Sequence, residues 1–221
     1  AILARTIGIT AIVGLGRGFD SLCHGTEVVV DGFEGKIVLN PDRKVIQKYL
    51  DKQQDYLCHL SNLSSLKGQK AESVDGISIE VSANVGRIED VNAALENDAE
   101  GIGLFRSEFL YMRHSHFPSE EEQFEAYRTV LEQMDGKRVI IRTLDLGADK
   151  KVPYFQWVEE ENPALGYRAV RICLSEPEIF MTQVRALLRA SVYGRLAVMF
   201  PMITSLHEIE SIKEMIRRAY S

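Results

Sequence analysis

The sequence has no apolar run approaching the roughly 20 residues that span a bilayer, no block of like charge, and only three cysteines. The first absence excludes a membrane-spanning helix, and the apolar opening, residues 1–5, is too short for a secretory leader. A soluble, cytoplasmic chain is predicted. A net charge of −6 with acids and bases interspersed leaves no electrostatic footprint for nucleic acid or an anionic membrane. Any anion must therefore be held by a local arrangement of residues. Cys23, Cys58 and Cys173 are scattered, without C-x-x-C spacing, which excludes a disulfide framework or a zinc knuckle. Reduced, mostly buried thiols are predicted. Cys23-His24 and His114-Ser115-His116 lack further ligands nearby in sequence, and the second pair falls in a polar loop before Pro118. No metal site is predicted from them. No G-x-G-x-x-G leads into a helix; Gly14-Leu15-Gly16-Arg17-Gly18 reads as a glycine-rich turn.

Two segments instead share a pattern. Gly101-Ile102-Gly103-Leu104-Phe105-Arg106-Ser107 and Arg138-Val139-Ile140-Ile141-Arg142-Thr143 each run apolar, then arginine, then a small hydroxyl residue. Such runs suit buried parallel strands, so both guanidiniums emerge where a strand leaves its sheet, the edge at which α/β proteins bind ligands. A guanidinium is always charged and presents a planar fork of donors. Two converging on one rim suit a phosphate or carboxylate. A single arginine in such a place is usually a partner for a nearby carboxylate, but the repetition, with a third candidate at Arg168, favours an anion-handling α/β enzyme.

The first forty residues are strand-and-turn material: Thr10 to Gly14, Glu27 to Gly32 and Lys36 to Leu39, separated by glycines. They read as the tail of a domain that starts upstream. Asn40-Pro41 predicts a helix start, and Val45, Ile46, Tyr49, Leu50, Leu57 and Leu60 continue at helical spacing into the soft stretch 61–68. From Gly76 the pattern alternates between strand and helix, as in a parallel sheet. Four strands are predicted, at Ile77 to Asn84, Gly101 to Arg106, Arg138 to Thr143 and Leu196 to Ile203. Ser119 with Glu122, Ser175 with Glu178, and Ser205 with Glu208 predict helix caps. The units fit a doubly wound sheet or a β/α barrel. Four are half of an eight-fold barrel, so the chain is also expected to be cut at its C-terminus.

The sequence resembles Enzyme I of the bacterial sugar phosphotransferase system, a branch of the phosphoenolpyruvate (PEP)-utilising enzymes. The resemblance covers essentially the whole chain. Residues 1–5 with 9–14 are similar to the stretch after that family's phosphorylated histidine. Residues 101–110, 142–150 and 161–168 match three of its barrel motifs. Pyruvate phosphate dikinase and PEP synthase carry the same arginine-bearing strands, but Leu146-Gly147-Ala148-Asp149-Lys150 is similar to the Enzyme I form.

The resemblance implies an α/β chain in three parts: the end of a β-rich phosphohistidine (swivelling) domain over 1–40, a linker helix and connector over 41–75, and the first half of a TIM-type (β/α) barrel over 76–221. It implies that Arg106, Arg142 and Arg168 grip PEP, with Asn84, Asp145 and Asp149 in support and the two aspartates orienting cations. It places the catalytic histidine before Ala1, and the Mg2+ ligands and a cysteine past Ser221, so Cys173 is not that cysteine. It further implies phosphoryl transfer to the carrier HPr in sugar uptake, a homodimer when intact, and a fragment inactive alone. A dikinase-type enzyme, or a non-catalytic interaction module with structural arginines, are the alternatives.

Overall fold

The computed structural model describes residues 4, 9–17, 23–147, 150–157 and 159–220. The chain divides into two compact units, Ala1–Lys67 and Gly68–Ser221.

In the first unit, β1 (Val28–Asp31) and β2 (Lys36–Leu39) form an antiparallel hairpin in which Asp31 faces Lys36. The turn is built by Asp31, whose Oδ1 accepts from the backbone N–H of Phe33 at 2.9 Å and of Glu34 at 3.0 Å. Helix α1 (Arg43–Ser64) follows. It starts later than Asn40-Pro41 predicts, because Asn40 turns left-handed (φ 45°) and Asp42 caps instead, accepting from Val45 N at 2.8 Å. The stretch Thr10 to Gly14 is not a strand, having no ladder partner among the described residues.

Lys52 on α1 ties the helix to the turn, reaching Asp31 Oδ2 at 2.6 Å and Glu34 Oε1 at 2.7 Å, while Phe33 meets Tyr56 edge-on. The Lys52 bond holds the Asp31 carboxyl below its usual range. Lys36, and then Lys52, draw Glu34 down to about 2. Both carboxyls bind protons less tightly in the folded state. What they contribute is therefore complete above the unfolded carboxylate range, about pH 4, and drains away as pH falls through the folded values. Carboxyl chemical shifts followed through an acid titration are expected to place both midpoints below the ordinary range. Ordinary midpoints would mean the tie is absent in solution.

No residue of α1 is buried, and this corrects the expectation of mostly buried thiols: Cys58 on that helix and Cys23 are both exposed, and only Cys173 is buried. Burial pushes the Cys173 thiol up to about 12, and the thiolate is the reactive form. A thiol reagent is expected to titrate Cys23 and Cys58 in the native chain and Cys173 only after denaturation. Rapid labelling of all three would contradict this packing.

The second unit is a four-stranded parallel sheet, β3 (Ser82–Val85), β4 (Gly101–Arg106), β5 (Arg138–Arg142) and β6 (Arg195–Met199), ordered as in the sequence. The connections carry α2 (Asp90–Glu96), α3 (Glu108–Arg113), α4 (Glu120–Gln133), α5 (Val170–Ser175) and α6 (Pro177–Ala190), and α7 (Leu206–Tyr220) follows β6. This architecture is compatible with half of a barrel. Phe105, Ile102, Val139 and Ile141 from the strands pack with Tyr127, Leu131 and Leu187 from α4 and α6 in one buried cluster. A second cluster, with Leu144, Leu146, Ile172, Phe180 and Met215, lies beyond the end of β5.

Strand β4 has the bounds its apolar run predicts, but the outer strands are shorter than expected. Residues 77–79 fold back on the preceding turn: Ile77 O accepts from Ser73 N at 2.9 Å and Ile79 N donates to Ala71 O at 2.8 Å. Strand β6 ends at Met199, because Pro201 lacks an N–H and Met202 is left-handed (φ 66°). Ser119 and Glu122 form the predicted reciprocal cap of α4, as Ser205 and Glu208 do for α7. Ser175 does not cap α6. Its Oγ donates back to Arg171 O and Ile172 O, and Pro177 opens that helix at its first turn.

Candidate anion site

Arg106 and Arg142 are partners in the β4–β5 ladder, each the last residue of its strand. Paired residues of a parallel ladder project to the same face, so two guanidiniums stand side by side at the C-terminal rim. Arg168 joins them from the β5–α5 connection. Asp145 Oδ1 accepts from its Nη2 at 2.7 Å and its Nε at 3.2 Å, and Asp145 Oδ2 lies 3.1 Å from Arg142 Nη1. One aspartate thus bridges two of the three arginines.

A second carboxylate shares the task. Glu108, at the start of α3, is fully buried; its Oε1 accepts from Arg142 Nη2 and, at 2.7 Å, from Lys150 Nζ. Lys150 is a cation that the aspartates are expected to orient; here its bond is to Glu108, a residue of the same motifs to which the sequence assigns no role. Asp149 lies outside the described residues. Asn84 is exposed on β3, and the turn after it is capped by Asp90, which accepts from Gly86 N and Arg87 N.

Arg106 differs from the other two. Among the described residues it forms no ion pair; its guanidinium lies over the Phe109 ring at 4.8 Å. Gly86 makes room for this stack, since a Cβ there would stand 2.9 Å from Arg106 Nη2 and 3.0 Å from the Phe109 ring. Three buried polar atoms in this small region lack a hydrogen-bond partner: Arg106 Nε, Arg142 Nε and Glu108 Oε2. Such atoms are rare in folded chains and call for an explanation. Among the described residues, counting Arg106, Arg142, Lys150 and Arg168 against Glu108 and Asp145 leaves an excess of two positive charges.

The rim is braced from below. Gln183 of α6 donates to Ser107 Oγ at 3.1 Å, while its Oε1 accepts from Leu144 N at 2.9 Å, so one buried amide joins the ends of β4 and β5. Tyr127 OH connects Gln183 to Gln123, which in turn accepts from Tyr111 OH and donates to Pro118 O. Burial raises both phenols above their ordinary value, so they remain neutral donors. Gly147 completes the frame. It sits at φ 125°, and a Cβ there would lie 2.5 Å from Arg168 Cβ, so the loop can approach Arg168 only with glycine.

Residues 61–221 match the family model described as PEP-utilising enzyme, PEP-binding domain. Three curated proteins, each named phosphoenolpyruvate-protein phosphotransferase, are similar over nearly the whole chain. That of Bacillus subtilis is 47% identical over 96% of this chain and 37% of its own length. That of Staphylococcus carnosus is 47% identical over 98% and 38%, and that of Geobacillus stearothermophilus 48% identical over 96% and 37%. The chain spans well under half the length of these relatives.

Proposed function

Because the chain belongs to the PEP-utilising enzymes and carries their PEP-binding domain, we propose that the cationic rim of β4 and β5 is its PEP site, within a phosphoenolpyruvate-protein phosphotransferase. The observation that carries this is the paired Arg106 and Arg142 with an excess of two positive charges among the described residues around them. Arg142 and Arg168 are held by buried carboxylates, whereas Arg106 has none among the described residues. We assign Arg106 the first contact with the incoming anion, and the others the opposing side of the phosphate or carboxylate. Phosphoryl transfer asks chiefly for positioning and for positive charge around the moving oxygens. Guanidiniums fixed in advance supply both without reorganising.

On this reading residues 1–40 are the end of a phosphohistidine domain, 41–75 a linker, and 76–221 the first half of the PEP-binding barrel. The accepting histidine, the docking of HPr, dimerisation and sugar uptake belong to the whole protein, as does a cytoplasmic location. Glu108 and Asp145 are each already bonded to two cations. That donor set does not suit a divalent cation, so no step is routed through Mg2+ here, and its ligands are assigned outside this chain.

The test is a calorimetric titration of PEP into the chain with and without Mg2+. Binding is expected to be Mg2+-independent and to be lost in Arg106→Ala with only a small fall in the unfolding midpoint, since among the described residues Arg106 has no ion pair to break and loses only its stack on Phe109. Affinity that survives Arg106→Ala would refute the assignment. A fall in stability without a fall in affinity would support the interaction-module reading.

A further inference from the structure

His114 and His116 gain in three dimensions the ligand their sequence neighbourhood does not show. The loop joining α3 to α4 brings both imidazoles against Glu122, eight residues beyond His114. One ligand atom from each of the three lies within 4.8 Å of the others. Three points so placed share a position no more than about 2.8 Å from each, against ordinary Zn–N and Zn–O bonds of about 2.0–2.2 Å. Small rotations of side chains at this surface close that gap. His114 Nδ1 and Glu122 Oε1 are already 3.7 Å apart, near the spacing of about 3.4 Å between neighbouring ligands of a tetrahedral zinc ion.

Two of the ligands are held in advance. Glu122 Oε2 accepts from Ser119 N at 2.7 Å and Ser119 Oγ at 2.8 Å in the α4 capping box, which leaves Oε1 facing His114. His116 Nδ1 lies 2.9 Å from Phe117 O. A carbonyl can only accept, so Nδ1 is the donor in this bond, and in the neutral imidazole Nε2 is the nitrogen that can bind an ion. An imidazole whose other nitrogen donates to a carbonyl is the usual arrangement of a metal-bound histidine. Nearby charges are already paired: Arg113 with Glu89, Glu120 with Arg185 and Arg189, and Glu121 with Arg189. The unpaired oxygen of Glu122 is left to the histidines.

We propose that His114, His116 and Glu122 form a binding site for a first-row divalent transition ion, zinc being the test case, distinct from the arginine rim. Two imidazoles and one carboxylate suit such an ion, and the remaining positions would be filled by water. The ion would pin the end of α3 to the first turn of α4.

The experiment is titration of the intact chain with Co2+, read by its visible d–d absorption, followed by displacement with Zn2+. One equivalent is expected to bind, without a thiolate charge-transfer band. His114→Ala and His116→Ala, both surface changes, should each weaken binding about tenfold or more, the loss that even an outer partner of a metal ligand causes. His24→Ala, His59→Ala and His207→Ala should leave it unchanged. Absence of saturable binding overturns the proposal, as does equal affinity in the His114 and His116 variants. A thiolate band, which would place the ion on Cys23 or Cys58, overturns it too.

Discussion

Glu108→Ala is expected to destabilise the second unit by about 3–5 kcal/mol, the range for removing one partner of a buried ion pair. Glu108 is fully buried, and its Oε1 takes bonds from both Arg142 and Lys150. Removing the carboxylate leaves an arginine whose side chain is 15% exposed next to a second cation, with Asp145 alone among the described residues to share. Glu108→Gln should lose less, because the amide oxygen can still accept one of the two bonds. Urea unfolding followed by a probe of the parallel sheet measures both, and with a slope of about 3 kcal/mol/M the alanine variant's midpoint should fall by more than about 1 M. A midpoint within experimental error of the unchanged chain would mean that Glu108 is hydrated in solution.

Arg142→Ala is expected to reduce PEP-dependent phosphoryl transfer by roughly 10²–10³-fold in kcat/KM when introduced into a full-length protein carrying this segment, the loss typical of one preorganised donor. Two effects combine at this residue. Its guanidinium supplies charge at the rim and lies close to both Glu108 and Asp145, the latter at 3.1 Å where Lys150 stands 4.0 Å away, so its removal also loosens Arg168 through Asp145. Arg142→Lys separates them. An ammonium keeps the charge but lacks the planar fork that spans two carboxylates, so the lysine variant should recover only part of the rate. Were Arg142 purely structural, kcat/KM would fall only as far as the folded fraction falls, and the proposed role would be lost.

The arginines at the rim were legible because a buried parallel strand leaves a continuous apolar run, and the first polar residue after it marks the exit. Arg106 and Arg142 follow directly from that rule. Their different surroundings do not. Glu108 lies two positions beyond Arg106 and reads on its own as a first-turn helix acid, whereas its partners are 34 and 42 residues downstream. No periodicity reports such a distance. Gln183 is hidden for the same reason: an amide on an amphipathic helix looks like surface until the ends of two strands are brought to it. The shortened first strand failed differently. Ile77, Ile79 and Val81 alternate as a strand should, but the backbone of Ile77 and Ile79 is engaged by the turn before them and the side chains of all three are exposed. His114-Ser115-His116 shows the same limit, since its third neighbour is brought near by a helix cap rather than by spacing.

The order of the strands in the sheet bears on how the second unit is made. Because β3, β4, β5 and β6 lie side by side in the order of synthesis, each new strand finds its partner already present at the growing edge. Parallel sheets are ordinarily slow to form, because distant segments must meet before any contact rewards them. Here every closure spans a single strand-to-strand connection. At roughly 5–20 residues per second on the ribosome, the sheet can be extended one strand at a time.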